Sequence, residues 1–200
     1  MSFASRSPAA SGSPASGGSR GKPDRAVPVE PESAPADPVD VARQICLHQL
    51  EHAPRTRAEL ATALRKKGIS DEVAEQVLGR FADVGMIDDA EFAQLWVSSR
   101  QRSKGLAGRA LSQELRRKGV DDASIADALA TIEPEAESAT ARALVDRKLR
   151  TTAGLPTDVL VRRLAGMLAR KGYPSGVAFR VVREALSQEG EEAELALDDL

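Results

Sequence analysis

The feature that most constrains this 200-residue chain is a short motif that it repeats three times. The strings "LRKKGI", "LRRKGV" and "LARKGY" occupy residues 64–69, 115–120 and 168–173, so their Lys-Gly pairs stand 51 and 53 residues apart. Recurrence at one period of about fifty residues is typical of helical repeat proteins. The glycine suits the left-handed residue that closes a helix, and the lysine suits the negative end of the helix dipole.

The repeat extends to both sides of its glycine. In each copy two leucines precede the glycine, and four apolar residues follow it at the offsets of one helical stripe. The pattern therefore predicts two helices per copy, joined at the glycine, with these residues in the core. They are Leu60, Leu64, Ala74, Val77, Leu78 and Phe81; Leu111, Leu115, Ile125, Ala128, Leu129 and Ile132; and Leu164, Leu168, Ala178, Val181, Val182 and Ala185.

A third helix is predicted in front of each pair. Thr56 with Glu59 fits the reciprocal capping pattern of a helix start. In the middle copy, Phe92, Leu95 and Trp96 are expected on one face of the leading helix. The three leading helices are predicted over residues 40–52, 89–102 and 134–150.

These patterns predict an all-α fold of three tandem three-helix repeats. One copy cannot bury its own stripe, so the copies should stack into an elongated, curved body. Residues before 40 are mostly Ser, Ala, Gly, Pro and charged, a composition that favours disorder. The predicted division is a disordered leader at 1–39, repeats at 40–88, 89–134 and 135–188, and an acidic tail at 189–200.

The sequence offers little that could carry catalysis. Cys46 is the only cysteine, it lies in an apolar stretch, and we expect it in the core. His48 and His52 are spaced for one edge of a metal site, but no third ligand is recognisable beside them. We therefore expect a non-enzymatic protein without metal or cofactor. Without an apolar run that could serve as a signal or membrane span, we also expect it to be soluble and cytoplasmic.

Charge is distributed unevenly along the chain. The formal net charge is only −2, but residues 100–118 carry seven basic residues and one acidic residue. Residues 135–188 carry ten basic and five acidic residues, and the tail 189–200 carries six acidic and no basic residues. Such basic stretches on stacked helices predict an extended surface for nucleic-acid phosphates or an acidic protein.

The candidate binding residues follow from charge and helical geometry alone. On the second helix of the middle copy, the arginines lie opposite the core leucines, and three further cations are expected in the loop before that helix. The full set is Arg100, Arg102, Lys104, Arg109, Arg116, Arg117, Lys118, Arg162, Arg163, Arg170 and Lys171. The few aromatic residues argue against a single-strand stacking platform.

The segment "IDDAEFAQLWVSSRQRSKGLAGRALSQELRRKGV", residues 87–120, resembles the central signature of the RecX family, bacterial regulators of the RecA recombinase. The matching positions are Lys104, Gly105 and Gly108, then Glu114, Leu115, Lys118 and Gly119. The similarity extends over about residues 40–186. It implies a modulator without catalytic residues.

The resemblance also implies a partner and an activity. RecX-like proteins bind RecA filaments on single-stranded DNA, either in the filament groove or at its growing end. They inhibit ATP hydrolysis, strand exchange and coprotease activity, and so restrain homologous recombination and the SOS response during DNA repair. We expect a monomer that contacts RecA and, through its basic faces, DNA.

Two other functions stay open at the level of sequence. The chain could be a stand-alone nucleic-acid-binding repeat protein without a RecA partner, or a helical scaffold for another protein. In any of the three, the acidic tail at 189–200 could compete with DNA for the basic face, because it carries six carboxylates.

Overall fold

A computed structural model of the chain describes residues 37–152 and 154–198, and within these residues it contains nine helices and no strand. The all-α prediction is therefore confirmed. The helices are α1 (Pro38–His52), α2 (Arg57–Lys66), α3 (Asp71–Asp83), α4 (Asp89–Lys104), α5 (Gly108–Arg117), α6 (Asp122–Ala130), α7 (Pro134–Leu149), α8 (Thr157–Arg170) and α9 (Ser175–Asp198).

The two ends of the chain differ slightly from expectation. The predicted leader lies outside the described residues up to residue 36, but α1 begins at Pro38, two residues earlier than predicted. The Asp37 carboxylate caps this start by accepting a 2.9 Å hydrogen bond from the Val39 N–H, and proline is well tolerated in a first turn. At the other end α9 continues into the predicted tail as far as Asp198, and residues 199–200 lie outside the described part. None of the described helices is long and apolar enough to cross a membrane.

Each group of three helices has its own core. The first and second helices of a group both pack on its third helix, as α1 and α2 do on α3. The apolar stripes predicted from the repeat form three separate clusters of buried residues, one for each group. Groups α1–α3, α4–α6 and α7–α9 are called repeats 1, 2 and 3 below.

The repeated Lys-Gly motif ends the middle helix of every repeat in the same way. In repeat 2 the Gly119 N–H donates to Arg116 C=O at 3.0 Å, and the Val120 N–H donates to Leu115 C=O at 3.2 Å. This pair of bonds defines a Schellman cap, which needs a left-handed residue at the glycine. Gly119 has φ 79°, and the corresponding glycines Gly68 and Gly172 have φ 77° and 91°. The predicted glycine caps are confirmed.

The inward face of α4 is rotated from the predicted one. Phe92 is buried and Trp96 is half-buried, but Leu95 is 57% exposed. Ala93 and Val97 complete the buried face instead, because α4 lies against α6 on the side of these smaller residues. Grouping the largest apolar side chains therefore gave the wrong stripe.

Repeat 2 attaches to the beginning of α2 through its own glycine corner. Thr56, the N-cap of α2, donates its hydroxyl hydrogen to the Lys118 carbonyl at 2.6 Å. The Arg57 N–H donates to the Asp89 carboxylate at 2.9 Å, and burial raises the pKa of Asp89. Gly119 lies directly against Ala58, leaving no room for a side chain. This contact is the junction between repeats 1 and 2.

The junction between repeats 2 and 3 uses the same geometry. The Ala107 N–H, at the N-cap of α5, donates to the Lys171 carbonyl at 2.9 Å. The Gly108 N–H donates to the Glu137 carboxylate at 2.9 Å. A Cβ at Gly172 would lie 2.5 Å from the Ala110 nitrogen. The Lys-Gly corner is therefore both a helix cap and the surface by which one repeat docks on the previous one.

Candidate nucleic-acid interface

A basic cleft of about 590 Å³ lies at the junction between repeats 1 and 2. Repeat 1 contributes the ends of α1 and α2, and repeat 2 contributes the end of α5. Glu59 is the one carboxylate among the residues that line it. The cations that line it are Arg55, Lys66, Lys67, Arg116, Arg117 and Lys118. We call this feature the junction cleft; an excess of cations of this kind favours an anionic ligand.

Lys118 holds the two walls of the junction cleft together. Its ammonium donates to the Glu59 carboxylate at 2.7 Å, and it lies 4.4 Å from the centroid of the Trp96 ring. The Trp96 indole N–H donates to Glu114 at 2.9 Å. Because only 20% of its side chain is exposed, Lys118 mainly positions the cleft, whereas the predicted residues Arg116 and Arg117 are exposed.

Arg100 was predicted to add charge at the loop between repeats, but it lies away from that loop. It belongs to α4, on the turn that faces the rest of repeat 2, and its side chain is 28% exposed. Its guanidinium lies 4.0 Å from the centroid of the Trp96 ring, and its Nε is 3.4 Å from the Glu114 carboxylate. The ring and the carboxylate thus already engage this cation. Helical phase, which charge counting ignores, explains the error.

Arg102 and Lys104 form a second basic group, also on α4 rather than in a loop. With Arg147 of α7 they line a cleft of about 180 Å³. Lys171 borders this group, since its ammonium donates to the Lys104 carbonyl. Burial, and after it the charges of Arg147 and Lys104, lower the pKa of Lys171.

A third basic group lies on α8. Arg162, Arg163 and Arg170 line an open cleft of about 380 Å³ on repeat 3. Arg162 also forms an exposed ion pair with Asp158 at 3.1 Å. Arg109, the remaining predicted residue, is exposed on α5 outside these three clefts. Apart from Arg100 and Arg109, the predicted cations are thus divided among three clusters.

Alignment of the repeats on their leucines and glycines shows which residues charge counting missed. One equivalent position, two residues before each glycine, is occupied by Lys66, Arg117 and Arg170. All three are exposed at the ends of their helices. Lys66 and its neighbour Lys67 were overlooked because the seven basic residues of 40–88 are outnumbered by eight acidic ones. Comparing equivalent positions between copies would have identified them.

One group of side chains that could act as metal ligands lies on α1. His48, Glu51 and His52 each offer one ligand atom within 4.8 Å of the others, and all three are exposed. The sequence pattern included the two histidines but not Glu51. The His52 Nδ1 lies 2.7 Å from the His48 carbonyl, so one ring nitrogen is engaged by the helix itself. We assign no function to this exposed group.

Family models match the three repeats in order. The first three-helix domain of RecX matches residues 42–81, the second matches 88–129, and the third matches 135–182. The crystal structure of RecX from Lactobacillus salivarius superimposes with a TM-score of 0.69. It shares 19% sequence identity and covers 76% of this chain and 98% of that chain, and so it supports the fold.

Similarity to curated proteins is much higher. The regulatory protein RecX of Streptomyces coelicolor is 58% identical over 160 residues, which cover 80% of this chain and 85% of that protein. The regulatory protein RecX of Thermobifida fusca is 52% identical over 177 residues, covering 86% of this chain and 96% of that protein. These relatives carry the name of a regulatory protein rather than an enzyme. With its three successive RecX domains, the chain belongs to the RecX family of regulatory proteins.

Proposed function

We propose that this protein is a cytoplasmic negative regulator of RecA. It binds the RecA filament on single-stranded DNA and inhibits its ATPase, strand-exchange and coprotease activities. In this way it restrains homologous recombination and the SOS response. The protein acts by binding, without cofactor or metal.

The junction cleft is the observation that most supports this proposal. Six cations line it against one carboxylate, and Lys66, Lys67, Arg116 and Arg117 are exposed. A phosphate backbone is the anionic polymer present throughout a RecA–DNA filament, and exposed Lys and Arg side chains bind phosphate without reading sequence. Family membership supplies the regulatory role, and the cleft supplies the contact to DNA.

A second candidate function rests on the same cleft. Cations that bind phosphate would serve equally in a stand-alone nucleic-acid-binding protein with no RecA partner. The two functions differ in what they do to RecA. A stand-alone binder would reduce RecA activity only by occupying the DNA, and additional DNA would restore that activity.

The deciding experiment measures ATP hydrolysis by RecA on single-stranded DNA, with this protein added to preformed filaments. We expect inhibition at ratios to RecA well below one to one that excess single-stranded DNA does not relieve. Full activity at equimolar protein would refute the proposal. Inhibition that disappears in proportion to added DNA would instead support the stand-alone binder.

A further inference from the structure

An exposed apolar groove lies on the surface of repeat 3. The groove runs between α8 and α9 on both sides of Phe179, which is 51% exposed. One part, about 340 Å³, is lined mainly by apolar and small residues that include Val161 and Ala165. The other part, about 350 Å³, reaches Leu186 and Arg183. We call these two connected parts the α8/α9 groove.

The equivalent positions of repeat 1 carry an ion pair. Alignment on the glycines, without gaps, places Arg57 at the position of Val161 and Glu75 at the position of Phe179. In repeat 1 these two side chains form an ion pair at 2.6 Å. Repeat 3 thus has two apolar residues lining its groove where repeat 1 has an ion pair.

A second set of equivalent positions shows the same change. Arg65 pairs with Asp71 at 3.6 Å in repeat 1, and Arg116 pairs with Asp122 at 2.8 Å in repeat 2. The corresponding residues of repeat 3 are Ala169 and Ser175, which line the α8/α9 groove. An exposed large aromatic residue in a groove without bridging charges is typical of a protein-binding surface.

The geometry points to the α8/α9 groove as the docking site for an apolar segment of a partner protein flanked by acidic residues. Arg183 borders the groove beside Leu186, and Arg180 is exposed on the same helix next to Phe179. The acidic groups nearby are Asp158, already paired with Arg162, and Glu184. An apolar side chain would pack on Phe179, and acidic neighbours would meet the arginines of α9.

The partner is inferred to be RecA itself, and this identification rests on the proposed function. The clefts lined by lysine and arginine suit DNA phosphate, whereas an apolar groove has nothing to offer a phosphate backbone. A RecA filament on DNA presents both phosphate and protein surface at once. DNA would therefore contact the junction cleft in repeat 1 and repeat 2, while the protein part of the filament contacts repeat 3.

Repeat 1 supplies the design of the test variant. The double substitution Val161→Arg and Phe179→Glu places in repeat 3 the ion pair that repeat 1 already tolerates in the same backbone frame. It should remove the apolar groove. Phe179 is half exposed, but Val161 packs against the core of repeat 3, so the melting temperature of the variant is measured as the check on its folding. Leu95→Glu is the matched control, because Leu95 is an equally exposed apolar residue on α4 outside the groove.

The measurement is equilibrium binding to RecA filaments on single-stranded DNA, and separately to the same DNA alone. We expect the double variant to lose at least tenfold in filament affinity, with unchanged affinity for DNA and an unchanged melting temperature. Leu95→Glu should behave as wild type in both assays. Arg183→Glu should give a smaller loss that diminishes as salt is raised.

The other possible results would contradict the proposed role of the groove in different ways. If wild type binds the filament and the double variant binds equally well, the groove proposal is wrong while the proposed function stands. If wild type neither binds nor inhibits RecA, both fail together. Equal losses for filament and free DNA would mean that the groove contacts nucleic acid. A wild-type dimer in sedimentation, absent in the double variant, would assign the groove to a second copy of this chain.

Discussion

Tyr173 shows how a single residue of the repeated motif can be adapted to join two repeats. In "LARKGY" it follows the glycine where the other copies have Ile69 and Val120. Its ring is 3% exposed in the core of repeat 3, and its hydroxyl donates to the Gly105 carbonyl of repeat 2 at 3.3 Å. Desolvation, and secondarily the Glu137 carboxylate, raise the pKa of Tyr173 to about 12.

This raised pKa predicts a specific loss of stability at alkaline pH. The folded phenol keeps its proton to about pH 12, whereas the unfolded phenol loses it near the ordinary value of 10.0. Stability from this group is therefore complete below pH 10 and is lost as the pH rises towards 12. Tyr173 is the only tyrosine, so absorbance at 295 nm follows this phenol alone. We expect half-ionisation near pH 12 in the native protein and near 10 in denaturant; half-ionisation near 10 in both would contradict the burial.

How far residue roles could be predicted from sequence depended on the kind of residue. Cys46 was expected in the core and is fully buried, because an apolar neighbourhood on a helix is a local property. Arg100 and Lys118 were expected on an exposed binding face, but they flank the Trp96 ring and bridge to carboxylates. Their environment depends on residues from other helices, and in the case of Lys118 from another repeat, which no local pattern encodes.

At the scale of the element, the glycine corner caps a helix in all three copies but contacts a preceding repeat in only two of them. Gly119 and Gly172 each end a helix and also press against the preceding repeat, at Ala58 and Ala110. Gly68 ends its helix in the same left-handed conformation, but no atom of the described residues lies within 4 Å of the position a side chain would take. The motif predicted the helix cap in all three copies. Docking was not predictable, because it brings together residues about sixty positions apart.

Replacing these glycines by alanine should separate the two roles. Gly68→Ala introduces only the strain of a left-handed alanine, about 1–2 kcal/mol. Gly119→Ala adds a collision with the Ala58 methyl group, which should cost about 1–3 kcal/mol more. Urea denaturation followed by Trp96 fluorescence and by circular dichroism gives both values. Equal losses for the two variants would mean that the corner does not bear on the preceding repeat.

At the scale of the whole molecule, the three repeats have the same arrangement of helices but differ in the residues at their docking positions. Among the residues that the structure describes, no atom lies against the glycine corner of repeat 1. Repeat 3 has Arg162 where repeat 1 has the docking residue Ala58, and Arg163 where repeat 2 has the docking residue Ala110. The predicted number of copies and their core residues followed from periodicity. The split of the basic face into clusters did not, because it depends on how the repeats are docked.

The junction cleft predicts which cations control binding to DNA. Lys66→Glu with Arg117→Glu reverses two exposed residues from opposite walls of the cleft. We expect weaker binding to single-stranded DNA of any sequence. The slope of log K against log salt should become shallower by about 1.4, because each phosphate contact on a single strand contributes about 0.7. Lys148→Glu with Arg150→Glu is the control, since it changes the net charge equally at exposed positions outside the clefts. Equal effects from both pairs would reveal a net-charge effect rather than a site.

The acidic tail is expected to weaken DNA binding by competing with phosphate for the basic clefts. Residues 189–200 carry six carboxylates and no cation, on a chain whose clefts are lined by lysine and arginine. If the tail competes with phosphate, deleting residues 189–200 should tighten DNA binding several-fold at low salt. The gain should vanish at high salt, where these charges are screened. A full-length variant with the six carboxylates changed to amides separates charge from length and should reproduce the gain. Unchanged affinity for DNA and for RecA filaments across salt in both variants would show that the tail does not compete.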